Sequence, residues 1–275
     1  MSDEQPVATE ERSEPSTTCP DTGKQTYLAS GWPTGLTFAL IAGLIAWGLF
    51  LRFYPIFTVP SELTDIDMPN SQQTAALRAA EKKVALTNAL AVLAWTGALL
   101  AAAMAIGEAW ARRSWLVATV GFLAAAVFGA LFGGAAAWLG HVIYYLLLIP
   151  FEGTTSLQGT VVVQIAMLGV LGGGVGLTVG SLAGFSRSTF GYLLGGAVAG
   201  ALGGMIYPVA VAFLVPAAHT DYVIPRDAAG ALPWLLITAL FVGIIVPQMN
   251  KGRSSQPETD VQTEHPMSDE SAQPA

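Results

Sequence analysis

Between Ser114 and Met249 the chain runs 136 residues with five charged side chains, Glu152, Arg187, Asp221, Arg226 and Asp227. A stretch so long and so poor in charge has no water-facing side, so it cannot wrap a soluble core. Apolar runs of this length, broken only by short polar punctuation, belong in lipid. Composition points the same way, with 53% of residues hydrophobic and 11% charged, where a soluble domain carries about 25% charged residues. The prediction is an all-α, polytopic membrane helical bundle.

Six segments are each near the ~20 residues that cross ~30 Å of hydrocarbon. They are Gly35–Leu51, Val84–Ile106, Leu116–Ile149, Val161–Gly184, Gly191–Val215 and Gly230–Val246. Trp32, Trp110, Trp115, Tyr192, Tyr207 and Trp234 stand at borders, as an interfacial aromatic belt requires. At 1.5 Å per residue the third segment reaches about 51 Å, too long for one upright span and too short for two. A tilted helix projecting beyond the membrane from Trp138 is preferred, with Gly133-Gly134 or Gly140 as alternative break points. Ahead of the second span, Asn70 and Ser71 are good helix caps and 72–83 is a run of strong helix formers, so an extramembrane helical loop is expected over about 58–83.

Both ends read differently. Residues 1–33 carry six acids against Arg12 and Lys24, and 248–275 carry five acids against Lys251 and Arg253. Both are rich in Ser, Thr, Pro, Gln and Glu, so they bury too little surface to order themselves and are predicted to be disordered acidic tails flanking a membrane domain at 34–247. Arg112 and Arg113, Arg187, and Lys251 with Arg253 place alternate connections, and both tails, in the cytoplasm. Loop 52–83 dissents with Arg52, Arg78, Lys82 and Lys83. No cleavable signal peptide is visible, and the expected location is a bacterial cytoplasmic (inner) membrane. The basic clusters are too small for nucleic acid. Cys19 is the only cysteine and has no internal disulfide partner.

Inside the desert run rows of small residues in steps of four. The fourth span holds Gly172, Gly176, Gly180 and Gly184; the fifth holds Gly196, Gly200 and Gly204; the third holds Gly121, Ala125, Gly129, Gly133 and Ala137. Steps of four on a 3.6-residue helix leave a slanted groove free of side chains. Helices in lipid associate by close van der Waals contact, which only small residues permit. Each glycine costs about 1 kcal/mol of helix propensity, so three rows are a costly accident. Glycine-zipper packing of helices 3–5 is the first reading. The second is a row lining a homo-oligomeric pore. A faint repeat at a shift of 70 sets Gly121, Leu123, Gly133 and Gly134 against Gly191, Leu193, Gly203 and Gly204, from a duplicated hairpin or from shared composition.

The stretch Gln164–Gly184 resembles the Ala/Gly-rich pore helix of small mechanosensitive channels. That family carries a soluble β-rich domain after its pore helix. Here two further spans and a tail follow, so the resemblance covers some twenty residues and no function is carried over.

Chemistry is sparse. Membrane enzymes and ion-coupled carriers keep ionisable groups inside their spans, and these spans hold essentially none. Ser181 lacks the flanking glycines of an intramembrane serine protease, and Gly-x-Ser-x-Gly, His-Glu-x-x-His and phosphate loops are absent. His141, among Trp138, Tyr144 and Tyr145, reads as a satisfied membrane-border histidine. Asn88, Thr96, Thr119, Gln164, Thr178 and Thr238 are expected to be buried polar groups, most of which can bond to backbone or to a facing helix. Glu152, His219, Asp221, Arg226 and Asp227 form the one cluster in the outer loops, ordinary for exposed loops, and Pro208 should kink the fifth span. No catalytic, cofactor-binding or metal-binding residue is assigned. The expectation is a non-enzymatic protein with a structural, assembly or interaction role, its partners the lipid bilayer and copies of itself through the glycine rows. A glycine-lined oligomeric channel for a small neutral solute is the alternative.

Overall fold

The computed structural model describes residues 31–64, 70–112, 115–147, 157–182, 187–215 and 222–249. They form seven helices: α1 (Gly31–Phe53), α2 (Ser61–Thr64), α3 (Ser71–Arg112), α4 (Trp115–Leu147), α5 (Leu157–Leu182), α6 (Arg187–Leu214) and α7 (Ala228–Gln248). All but the single turn α2 are long and apolar enough to cross a membrane. Residues 1–30 and 250–275 of the expected tails, with Gly184, Glu152, His219 and Asp221, lie outside the described residues.

Local chemistry explains where α3 begins. The Gln73 amide donates to Asn70 Oδ1 and the Asn70 amide donates to Gln73 Oε1, each at 2.8 Å, so two helix-end donors are satisfied reciprocally. The helix formers at 72–83 and the second span then make one helix of 42 residues, about 63 Å long. Its first turns are largely exposed, and burial becomes continuous only from Asn88 and Ala89. Helix α4 is likewise unbroken over 33 residues, with Gly133, Gly134 and Gly140 inside it. Pro208 lies inside α6, and Pro233 and Pro247 inside α7. Hydrocarbon offers a broken turn no substitute hydrogen bonds, which keeps glycine and proline inside helices that would fray in water.

The six long helices close a ring in which α1 packs on α3, α3 on α4, α4 on α5, α5 on α6, α6 on α7 and α7 on α1, while α3 and α5 also meet across it. The interior is filled. Leu93 and Leu100 of α3 and Met167, Leu168, Leu171 and Val175 of α5 are fully buried. Outside, Ile41, Leu44 and Ile45 of α1, Leu123, Val127 and Leu131 of α4, and Leu194, Val198 and Phe213 of α6 stand exposed. Apolar surface of that extent fits an acyl-chain environment.

Two hairpins in the ring are built alike. In α3–α4, a methyl on Gly97 or on Gly129 would strike the other's carbonyl, and one on Gly133 would strike the Leu93 carbonyl. In α5–α6, Gly172 and Gly196 stand in the same mutual relation, and Gly200 faces the Leu168 carbonyl. The equivalence sets Gly129 against Gly196 and Gly133 against Gly200, a shift of 67 (196 less 129) rather than 70. Helices α4 and α6 do not pack on each other as a pair; each is the returning arm of its own hairpin.

Candidate functional site at one end of the bundle

The glycines singled out from sequence fall into three groups. Gly172, Gly176, Gly196, Gly200 and Gly204 face backbone across the α5–α6 seam, where added methyls would overlap the carbonyls of Gly196, Tyr192, Gly172, Leu168 and Gln164 respectively. Gly180 continues the seam more loosely, with Thr189 Cα at 3.1 Å from where its Cβ would stand. On α4, Gly129 and Gly133 turn to α3 rather than to α5, and of that row's glycines Gly121 approaches α5, at Leu182. Further close-packing glycines escaped the sequence reading, among them three at helix–helix contacts. Gly97 faces α4; Gly35 faces Pro247; Gly243 faces Leu36 and Ala39 across the α1–α7 contact.

Buried polar side chains serve a different purpose, and they gather where α1, α4 and α6 end and α3, α5 and α7 begin. Asn88 is 4% exposed. Its Oδ1 accepts from the amides of Ile56 (3.1 Å) and Phe57 (2.9 Å), and its Nδ2 donates to the Phe57 carbonyl at 2.9 Å. One amide thus pins the chain leaving α1 onto α3. Gln164 does the same for the chain entering α7: Nε2 donates to the Val223 carbonyl at 3.1 Å, while Oε1 accepts from Trp234 Nε1 at 3.1 Å. Trp47 Nε1 donates to the Ala228 carbonyl at 3.2 Å, and Asp227 caps α7 by accepting from the Gly230 amide. In a dry environment each such bond is costly to leave unmade. By contrast Thr96, Thr178, Ser181 and Thr238 bond back to carbonyls four residues earlier, the bland use expected of them.

Around these clamps sit aromatic rings and cations. Arg226 Cζ lies 3.5 Å from the Tyr222 ring centroid, and Lys82 Nζ lies 4.1 Å from that of Tyr145. Contacts of this kind strengthen as water is excluded. Tyr54 stacks on Phe50 at 4.4 Å. Burial pushes its phenol above the ordinary tyrosine value, and the Arg226 guanidinium opposes that rise. His141 stands beside Tyr145, ring centroids 4.4 Å apart, and its Nε2 is buried with no hydrogen-bond partner among the described residues. The expectation of a satisfied border histidine therefore fails at that atom. Of the outer-loop cluster, Arg226 and Asp227 are described, and both have structural duties in the chain that starts α7.

Six membrane-length apolar helices, a filled interior and a polar rim are the make-up of a multi-pass membrane protein. Comparison with protein-family models, with curated proteins and with solved structures finds no match.

Proposed function

We propose that this is a non-catalytic integral membrane protein that works by interaction, presenting the aromatic and cationic end of its bundle to a partner. One observation carries the reading: the described interior is packed with apolar side chains, while the cation–ring contacts and the polar clamps gather at one end. A rigid frame with its recognition groups at the rim suits binding better than passage or chemistry. The glycine rows add support, since those of α5 and α6 face each other within one chain and so are not free to line a pore between subunits. We place the protein in a bacterial inner membrane with both tails cytoplasmic, on the strength of Arg112, Arg113, Arg187, Lys251 and Arg253.

The test is a photo-crosslinking amino acid placed at Phe57 or Tyr222 of the polar end, or at Leu194 or Val198 on the outer face of α6, in native membranes. Discrete adducts at the first pair and none at the second are expected. In parallel, reconstituted vesicles should show no glycerol or urea flux above protein-free vesicles. Flux that scales with protein content would overturn the reading, as would identical adducts at all four positions.

A further inference from the structure

Within the polar end, one edge holds a buried polar atom with nothing to bond. His141 is 5% exposed and its Nε2 has no partner among the described residues. Native structures pair such atoms, so an orphan calls for a partner beyond the protein atoms present. Its surroundings say which chemistry. Lys82 Nζ lies 4.1 Å from the Tyr145 ring centroid and the His141 ring centroid stands 4.4 Å from it, so an ammonium, an imidazole and a phenol share one corner between α3 and α4. Arg78 precedes Lys82 by four residues, one turn back on the same face of α3.

We propose that this corner binds the phosphate of an anionic phospholipid headgroup, held between Lys82 and His141. An ammonium and an imidazole packed on one tyrosine ring can be bridged by one anion with several acceptor oxygens. Depth selects the lipid over a soluble anion. On the same stretch of α4, Trp138 and Leu146 are exposed and apolar, and exposed Trp beside cationic side chains marks the level where acyl chains give way to headgroups. A basic corner between helices at that level can take a lipid phosphate through charge-assisted hydrogen bonds. The inference goes beyond the interaction reading and needs no protein partner at this end.

Native mass spectrometry of the full chain in mild detergent tests it, with dioleoylphosphatidylglycerol titrated against dioleoylphosphatidylcholine. The wild type should retain one phosphatidylglycerol in preference. Lys82→Gln should lower that preference about fivefold, and His141→Phe should lower it while keeping a ring in place. Arg52→Gln, which removes an exposed cation from the same end, should leave it unchanged. Equal retention of the two lipids overturns the site, and so does an equal loss in Arg52→Gln, which would mark mere surface charge. A third arm adds inorganic phosphate: if it displaces the retained lipid at millimolar concentration, the corner is a free-oxyanion site and the lipid assignment falls. Should His141→Phe fail to fold, Lys82→Gln alone decides. None of these failures touches the crosslinking result, which judges the interaction reading separately.

Discussion

A single methyl at Gly200 is the sharpest perturbation available in the α5–α6 seam. An alanine Cβ there would stand 2.6 Å from the Leu168 carbonyl carbon and closer still to its oxygen, whereas carbon contacts are comfortable at about 3.5–4.0 Å. The obstacle is backbone on a buried helix, so α5 and α6 must separate by roughly an ångström. A gap of that size forfeits a quarter to a half of each dispersion contact along the seam, and Gly172, Gly176, Gly196 and Gly204 all lie on it. Overpacking of this kind costs about 1–3 kcal/mol, and the better helix propensity of alanine returns up to about 1 kcal/mol. The net loss is roughly 1–2 kcal/mol, a fall of about 2–8 °C in melting temperature for a domain of this size. Gly191 is the control, because nothing lies within 4 Å of its added Cβ. There the propensity gain stands alone, and Gly191→Ala should raise the midpoint by about 2–4 °C. Melts in mild detergent, followed by tryptophan fluorescence, read both variants. Equal midpoints for the two, or a Gly200→Ala protein as stable as the wild type, would refute the reasoning.

Further outcomes follow from the polar end and from the tail. Gln164→Leu keeps the volume but leaves Trp234 Nε1 and the Val223 carbonyl unpaired; a loss of about 2 kcal/mol is expected in denaturant titration, and an unchanged midpoint would deny the clamp. Tyr54 has a folded-state pKa raised above its unfolded value by burial, with Arg226 opposing. Its contribution to stability is therefore complete below about pH 10 and lost as pH rises through the folded value. Tyr54→Phe should flatten the stability decline above about pH 10, measured as melting temperature against pH. Cys19 is the only thiol, so a membrane-impermeant maleimide on intact spheroplasts reports the side of the N-terminal tail. Labelling only after permeabilisation is expected; labelling of intact cells would invert the orientation.

What could be read from sequence was whatever the solvent dictates. Hydrocarbon demands about twenty apolar residues and internally satisfied backbone, and that demand is visible in the charge desert without any knowledge of packing. The start of α3 was legible because its cap is local: Asn70 and Gln73 are three residues apart and bond each other. Seams are only half local. Steps of four announce a groove on α4, but the element that fills it is set by Leu93, Gly97 and Ala101 of α3, a row of mixed residues with no glycine signature of its own. Gly35 and Gly243 were missed for the same reason, each a lone glycine whose partner lies on another helix. The polar clamps were least legible. Asn88 reaches 31 residues back and Gln164 reaches 59 ahead, and nothing near either one in sequence names its partner. Lys82 on Tyr145 and Arg226 on Tyr222 join groups that seemed ordinary loop and border residues until the helix ends were brought together.

The central claim is that the glycine seams close within one chain and leave the polar end as the working surface. Native mass spectrometry of the wild type and of Gly200→Ile in the same mild detergent tests it most directly. The account predicts one and the same oligomeric state for both, with the variant unfolding at a lower collision energy because its seam is strained inside the chain. A wild-type oligomer that Gly200→Ile converts into stably folded monomers would contradict it, and would move the seam from the interior of the chain to a subunit interface.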